Sequence, residues 1–242
     1  MSEALAVQEA IPLLSVRDLH GWYGEGHVLH GINFDVQQGE VVTLLGRNGA
    51  GKTSTLRAIM GLLPRREGSI TFGGRELIGL PPRKIARAGI AFCPEERGIF
   101  SSLSVDENLM LPPTVLPGGL TRAEVLDMFP NLRERLTSQG TKLSGGEQQM
   151  LAIGRILRTG AKFLLLDEPT EGLAPVIVQQ IGRTLATLKS QGFTIVLVEQ
   201  NFRFAASVAD RHYVVEQGRV IDMMHNADLA ANTSKLHAYL GV

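Results

Sequence analysis

The sequence predicts an α/β fold that carries an N-terminal antiparallel β-subdomain and an inserted helical subdomain. Three observations support this. Short apolar runs alternate with longer stretches of helical period through most of the chain, the rhythm of a sheet covered by helices. Near the start, LLSVRDL and VLHGINFDV flank the glycine-rich GWYGEG, as antiparallel strands would. Between about residues 97 and 159 nothing reads as a strand.

Residues 1–12 read as a flexible tail ahead of a single domain over 13–242. The two alternating runs within 13–36 supply the antiparallel strands. VVTLL (41–45) is a short apolar run ending at a glycine, and a helix follows from 51 to about 62. SITF is the next strand, a helix lies near 82–87, and IAFC is a strand again. DENLML, TRAEVLDMF and GEQQMLAIGRILR supply helices to the 97–159 insertion. KFLLLD restarts the α/β rhythm as an apolar strand expected beside VVTLL. PVIVQQIGRTLATLKS is a helix, FTIVLV a strand and NFRFAASVA a helix. HYVVEQGRVIDMM reads as a hairpin turning at Gln217 and Gly218, and ADLAANTSKLHAYL as a closing helix.

A chain of 242 residues, 44% of them hydrophobic, can bury a sizeable core in one large domain. Lys+Arg and Asp+Glu both number 24, so the formal net charge is zero and the basic excess of a general nucleic-acid binder is missing. No run of AVILMFWYC residues exceeds four, against the roughly 20 predominantly apolar residues that cross a bilayer. The opening MSEALAVQEA carries Glu3 and Glu9 and no basic region, so it does not read as a signal peptide. The single Cys93 excludes an internal disulfide, and these features together point to the cytoplasm.

The strongest chemical signal is Gly46-Arg47-Asn48-Gly49-Ala50-Gly51-Lys52-Thr53, which fits GxxxxGK[ST] and sits between a strand and a helix. Its glycines let consecutive backbone N–H groups turn inward toward phosphate oxygens, and the helix adds its positive end. Lys52 would reach the β- and γ-phosphates and Thr53 would ligate Mg²⁺. A plain Gly-rich turn before a helix is the bland reading of the same letters. The strand at 163–167 ends in Asp167 and Glu168: the first would hold Mg²⁺, and the second would orient or deprotonate the attacking water. Alone, such acids also fit a solvated strand end. Leu143-Ser144-Gly145-Gly146-Glu147-Gln148-Gln149 opens a long helix and contains a capping box. A Ser hydroxyl, two glycines and a bare helix N-terminus also make a second anion half-site, which suggests that two sites meet across a dimer.

The ordered set GRNGAGKT, LSGGEQQ and LLLDEP resembles the ATP-binding cassette of ABC transporters over nearly the whole chain. That resemblance implies a P-loop NTPase with a RecA-like core that binds ATP and Mg²⁺ and hydrolyses ATP. Residues 46–54, ending at Ser54, would surround the phosphates. Two cassettes, identical or paralogous, would sandwich two ATPs head to tail, with Ser144, Gly145 and Gly146 touching the γ-phosphate held by the partner. Tyr23 matches the aromatic residue that stacks on adenine, although a simple turn aromatic also fits. Glu171-Gly172-Leu173-Ala174 matches the loop that crosses the dimer interface.

Two positions depart from the general pattern. Glu95 stands where most cassettes carry a Gln near Mg²⁺, and Gln200 stands where they carry a His. An amide can still donate a hydrogen bond to the γ-phosphate but cannot carry a proton. PEERGIF, DEPTEGLAP and LVEQN together resemble ATP-binding subunits of branched-chain amino-acid importers, a class with relatives for urea, short amides and other amino acids. The implied partners are a second cassette, transmembrane permease subunits and, indirectly, a substrate-binding protein, with no nucleic acid. The chain would then lie on the inner face of the membrane through its permease. The segment 98–111, with Ile99, Phe100 and Leu103 exposed, would form part of the permease groove; core packing explains those residues equally well. A hydrolysis-poor, nucleotide-gated interaction module is the rival reading, motivated by Glu95 and Gln200.

Overall fold

The computed structural model describes residues 11–240. Residues 1–10 of the expected tail lie outside the described residues, and Ile11 and Pro12 lead into the first strand without regular structure. β1 (Leu14–Tyr23) and β2 (Gly26–Val36) pair antiparallel around a tight turn. β3 (Val41–Leu45) is buried along its whole length and leads through the glycine-rich loop into α1 (Lys52–Ile59). β4 (Arg65–Phe72) starts earlier than the SITF run, because Arg65, Arg66 and Glu67 pair with Trp22, Gly21 and His20 of β1 through their backbones. Polar side chains hide such an extension from any reading of apolar pattern. β5 (Arg75–Glu76) completes an antiparallel sheet ordered β2-β1-β4-β5.

α2 (Pro82–Arg87) leads to β6 (Ile90–Cys93), after which the chain turns helical: α3 (Val105–Met110), α4 (Arg122–Met128), α5 (Pro130–Arg133) and α6 (Gly145–Leu157). Among the described residues of this stretch, the strand-like pairing is one isolated bridge, Ser104 to Gln139. α3, α4 and α6 each begin with a reciprocal capping box, Ser104 with Glu107, Thr121 with Glu124 and Ser144 with Glu147. The S/T-x-x-E spacing fixes where these helices start. Phe100 is exposed as expected, but Ile99 and Leu103 are half-buried, and Ile99 packs against the core of this helical region.

The remaining elements are β7 (Phe163–Asp167), α7 (Pro175–Ser190), β8 (Thr194–Glu199), α8 (Phe202–Val208), β9 (Arg211–Glu216), β10 (Arg219–His225) and α9 (Leu229–Leu240). They complete a second sheet ordered β10-β9-β3-β8-β7-β6, parallel except for β10. This corrects one expectation: KFLLLD does not lie beside VVTLL. β8 is buried along its whole length and takes the place between them, pairing in parallel with both. The acids ending β7 and the glutamine after β8 therefore come from two different strands: the acids contact Lys52 and Thr53, and Gln200 contacts Glu168.

Side chains alternate across this sheet. Leu164, Leu166, Ile195 and Leu197 face the core shared with the helical region and α7, whereas Phe163, Leu165, Val196, Val198, Val42 and Leu44 face the core shared with α1 and the antiparallel sheet. Burial on both faces explains why these strands read as unbroken apolar runs. Each fully buried side chain of this size contributes roughly 1.5–3 kcal/mol.

The β9–β10 hairpin braces the loop. Gln217 and Gly218 take φ of 45° and 71°, the shape of a type I′ turn. The Gly218 N–H donates to the Ala50 carbonyl at 2.8 Å, and a Cβ at Gly218 would stand 2.3 Å from the Val28 carbonyl oxygen. At the start of the loop, a Cβ on Gly46 would stand 2.2 Å from the Val215 carbonyl oxygen, so only glycine fits.

Candidate functional site

The loop between β3 and α1 forms the floor of a cavity of about 460 Å³, lined by Val28, Asn48, Gly49, Ala50, Gly51, Lys52, Thr53, Ser54, Glu95, Glu168 and Glu171. Lys52 is the first residue of α1 and is almost wholly buried. Its Nζ donates to the carbonyls of Gly46 at 2.9 Å and Arg47 at 3.1 Å, and lies 3.3 Å from Glu168 Oε1. Arg47 thus enters the site through its backbone and is absent from the cavity lining.

Thr53 Oγ1 donates to Asp167 Oδ1 at 3.0 Å, joining α1 to the end of β7. Asp167 is 1% exposed, and its Oδ2 has no hydrogen-bond partner. Burial pushes the Asp167 carboxyl up to about 6; Thr53 opposes the shift, and the charges of Glu168 and Glu95 add to it. A hydroxyl beside a buried carboxylate with a spare oxygen is an all-oxygen donor set of the kind a hard divalent cation takes. Glu95 lines the same cavity. These residues therefore fit Mg²⁺.

Glu168, the residue after β7, takes φ of 44°, the left-handed region that a non-glycine residue seldom enters. Three partners hold it there. Its N–H donates to the Val198 carbonyl at 3.0 Å, Lys52 faces Oε1, and Gln200 Nε2 donates to Oε2 at 2.6 Å. Glu171 reaches back into the same cavity, and its carboxyl is raised above the usual range chiefly by its hydrogen bond with Glu168.

The other expected site residues are placed differently. Tyr23 ends β1, is 40% exposed and does not line the cavity. Its hydroxyl is the chief cause holding Arg57 of α1 above the ordinary arginine value, with Glu96, 3.0 Å from Arg57, adding to it. Ser144, Gly145 and Gly146 stand at the N-terminus of α6 outside the cavity. The Ser144 hydroxyl accepts from the Glu147 N–H at 3.3 Å, and the Ser144 N–H donates to the Glu147 carboxylate at 2.7 Å. Gly145 lies beside the Arg97 guanidinium and Leu173, and Gly146 against Ile177. Within one chain, therefore, the α6 N-terminus and the glycine-rich loop do not meet.

Two residues not expected in the cavity line it, Val28 and Glu171. Val28 is skipped where Gly21 pairs with Leu29 and Trp22 with His27, a bulge that nothing in the sequence announces. Glu171 is legible as a third acid spaced D-E-x-x-E after the strand, but the family resemblance points it only to an interface loop.

A strand, a glycine-rich loop and a helix cradling a buried lysine, faced by two acids at the end of another strand of the same sheet, define a phosphate-loop nucleoside triphosphatase. The ABC transporter family matches residues 29–171, and the chain belongs to that family as an ATP-binding subunit and ATPase. It is 44% identical over 238 residues to the high-affinity branched-chain amino acid transport ATP-binding protein BraG of Pseudomonas aeruginosa, covering 95% of this chain and 100% of that one. It is 34% identical over 234 residues to the lipopolysaccharide export system ATP-binding protein LptB of Escherichia coli K12, covering 94% and 97%. A solved ATP-binding subunit of an ABC transporter superposes with a TM-score of 0.80 at 29% identity, over 95% of this chain and 100% of that chain. No helix among the described residues is long and apolar enough to cross a membrane.

Proposed function

We propose that this chain powers an importer for branched-chain amino acids, through ATP-driven closure of a head-to-tail pair of cassettes. The observation that carries the reading is the convergence of Lys52, Glu168 and Gln200 on the phosphate loop, while Ser144, Gly145 and Gly146 stand outside that cavity. A second cassette would supply its Ser144 end to this chain's loop and take this chain's in return.

Lys52 and the loop N–H groups bind the β- and γ-phosphates, where negative charge develops during transfer. Thr53 and Asp167, with Glu95 beside them, would hold Mg²⁺, whose charge neutralises the phosphate oxygens when it is bound. Glu168 accepts the proton of the attacking water as its oxygen bonds to the γ-phosphorus and the bond to the ADP oxygen breaks. Gln200 carries no proton in this scheme; its amide fixes the Glu168 carboxylate at 2.6 Å. Hydrolysis then removes the group that both cassettes grip, and the pair opens. Phe100, Met110 and Leu111, each about half exposed, would offer apolar surface to a helix of a permease subunit.

Support for the substrate comes from the 44% identity to the Pseudomonas aeruginosa protein and from PEERGIF, DEPTEGLAP and LVEQN. The 34% identity to the lipopolysaccharide export subunit marks the competing direction. Uptake of labelled leucine, isoleucine and valine into cells lacking this chain tests the reading: wild type restores uptake and Glu168→Gln does not. Loss of urea or short-amide uptake instead would reassign the cargo, and a defect confined to export would reverse the direction.

A further inference from the structure

Beyond the residues given roles above, a buried side-chain hydrogen bond joins the ends of β7 and β8. Thr170 Oγ1 donates to Glu199 Oε1 at 2.7 Å, and the Asn201 N–H donates to Glu199 Oε2 at 3.3 Å. Thr170 is 6% exposed and Glu199 3%, and no ion pair with Glu199 forms among the described residues. A carboxyl taken out of water without a cation is costly, and a well-packed apolar side chain would cost less there. What a carboxylate offers is two acceptor oxygens, and here one serves each loop.

The two loops are those that carry the reacting groups. Thr170 stands two residues after Glu168, and Glu199 immediately precedes Gln200. Glu168 needs support, since its left-handed φ of 44° is strained for a residue with a Cβ. The backbone bond from Glu168 to Val198 and the side-chain bond from Gln200 to Glu168 link the same loops on the cavity side. The Thr170 to Glu199 bond is the corresponding link on the buried side.

We propose that Thr170 and Glu199 are a positioning pair for hydrolysis, holding the two loops in register so that Glu168 and Gln200 meet water as one unit. This rests on the reading of Glu168 as the base. Purified Thr170→Val keeps the side-chain shape and loses the donor, while Thr170→Ser keeps the donor. The expected result is a kcat for ATP lowered roughly 10- to 100-fold in Thr170→Val, since small misplacements of a reacting group have effects of that size. KM and ATP affinity stay within about twofold and Thr170→Ser recovers most of the kcat, a split that a general loss of packing does not produce.

If Thr170→Val does not fold, Glu199→Gln carries the test, because one acceptor remains where two loops need one each; the same fall in kcat at constant KM is expected. Wild-type kcat in a folded Thr170→Val or Glu199→Gln protein overturns the pair, as does an equal loss with Thr170→Ser. Glu168→Gln measured alongside separates the failures. Turnover that survives in it removes Glu168 from the mechanism and the pair with it. Turnover lost in Glu168→Gln but normal in Thr170→Val overturns the pair alone.

Discussion

Lys52 Nζ lies 3.3 Å from Glu168 Oε1, with both side chains almost fully out of water, so the lysine that opens α1 and the acid that follows β7 are held as one unit. Each compensates the other's burial, and removing one leaves the other charged and unpaired. Lys52→Ala is therefore expected to weaken ATP binding by at least about tenfold, the loss that goes with a missing charge-assisted contact. Titration calorimetry with ATP checks this on protein shown by its melting curve to be folded. Unchanged affinity would count against the loop assignment.

Glu168→Gln preserves the shape and keeps an oxygen for Gln200 while removing the carboxylate proposed as the base. We expect ATP affinity near wild type, turnover lower by at least about 100-fold, and an ATP-dependent dimer that persists because the γ-phosphate is not removed. Light scattering with ATP and a phosphate-release assay on the same sample read both effects. Normal turnover in this variant would place the base elsewhere.

The phosphate loop, the acids after β7 and the Ser144 capping box are legible because each is a local string whose letters carry its chemistry. Strand order is not. KFLLLD and FTIVLV are both short apolar runs, and only packing on both faces puts the second between the first and VVTLL. The pairing of Thr170 with Glu199 spans 29 residues, so no window of sequence contains it. Val28 reaches the cavity through a bulge, and Ile99 is half-buried because the core of the helical region packs on it. An apolar residue in a loop looks the same whether it faces a partner or its own core.

Glu199 makes stability depend on pH in a way its amide variant should not. Burial pushes its carboxyl up to about 7, aided by the charge of Glu168 and opposed by hydrogen bonds from Thr170 and the Asn201 N–H. A carboxyl whose folded value exceeds its unfolded one favours the folded state most below the unfolded value. That advantage fades as pH rises from about 4.5 to about 7. At pH 8 the ionised form opposes folding by up to about 3 kcal/mol, at about 1.36 kcal/mol for each pH unit between the unfolded and folded values. Denaturant melts at pH 5, 6, 7 and 8 should show Glu199→Gln gaining on wild type as pH rises. Parallel curves would mean that Glu199 folds and unfolds with the same proton affinity.

The separation of Ser144 from Lys52's cavity allows two inactive chains to repair each other. In a head-to-tail pair, each site takes its phosphate loop from one chain and its α6 N-terminus from the other. Lys52→Ala homodimers lack both loops, and Ser144→Arg homodimers block both α6 ends. A mixed dimer has one doubly damaged site and one intact site. Equimolar mixing should therefore recover roughly a quarter of wild-type ATPase activity, since about half the dimers are mixed and each carries one site of two. The measurement is phosphate release across mixing ratios, with a maximum near one to one. A flat, inactive profile from two folded, dimerising variants would mean that the sites are not shared between chains, and the head-to-tail reading would fall while the phosphate loop assignment stood.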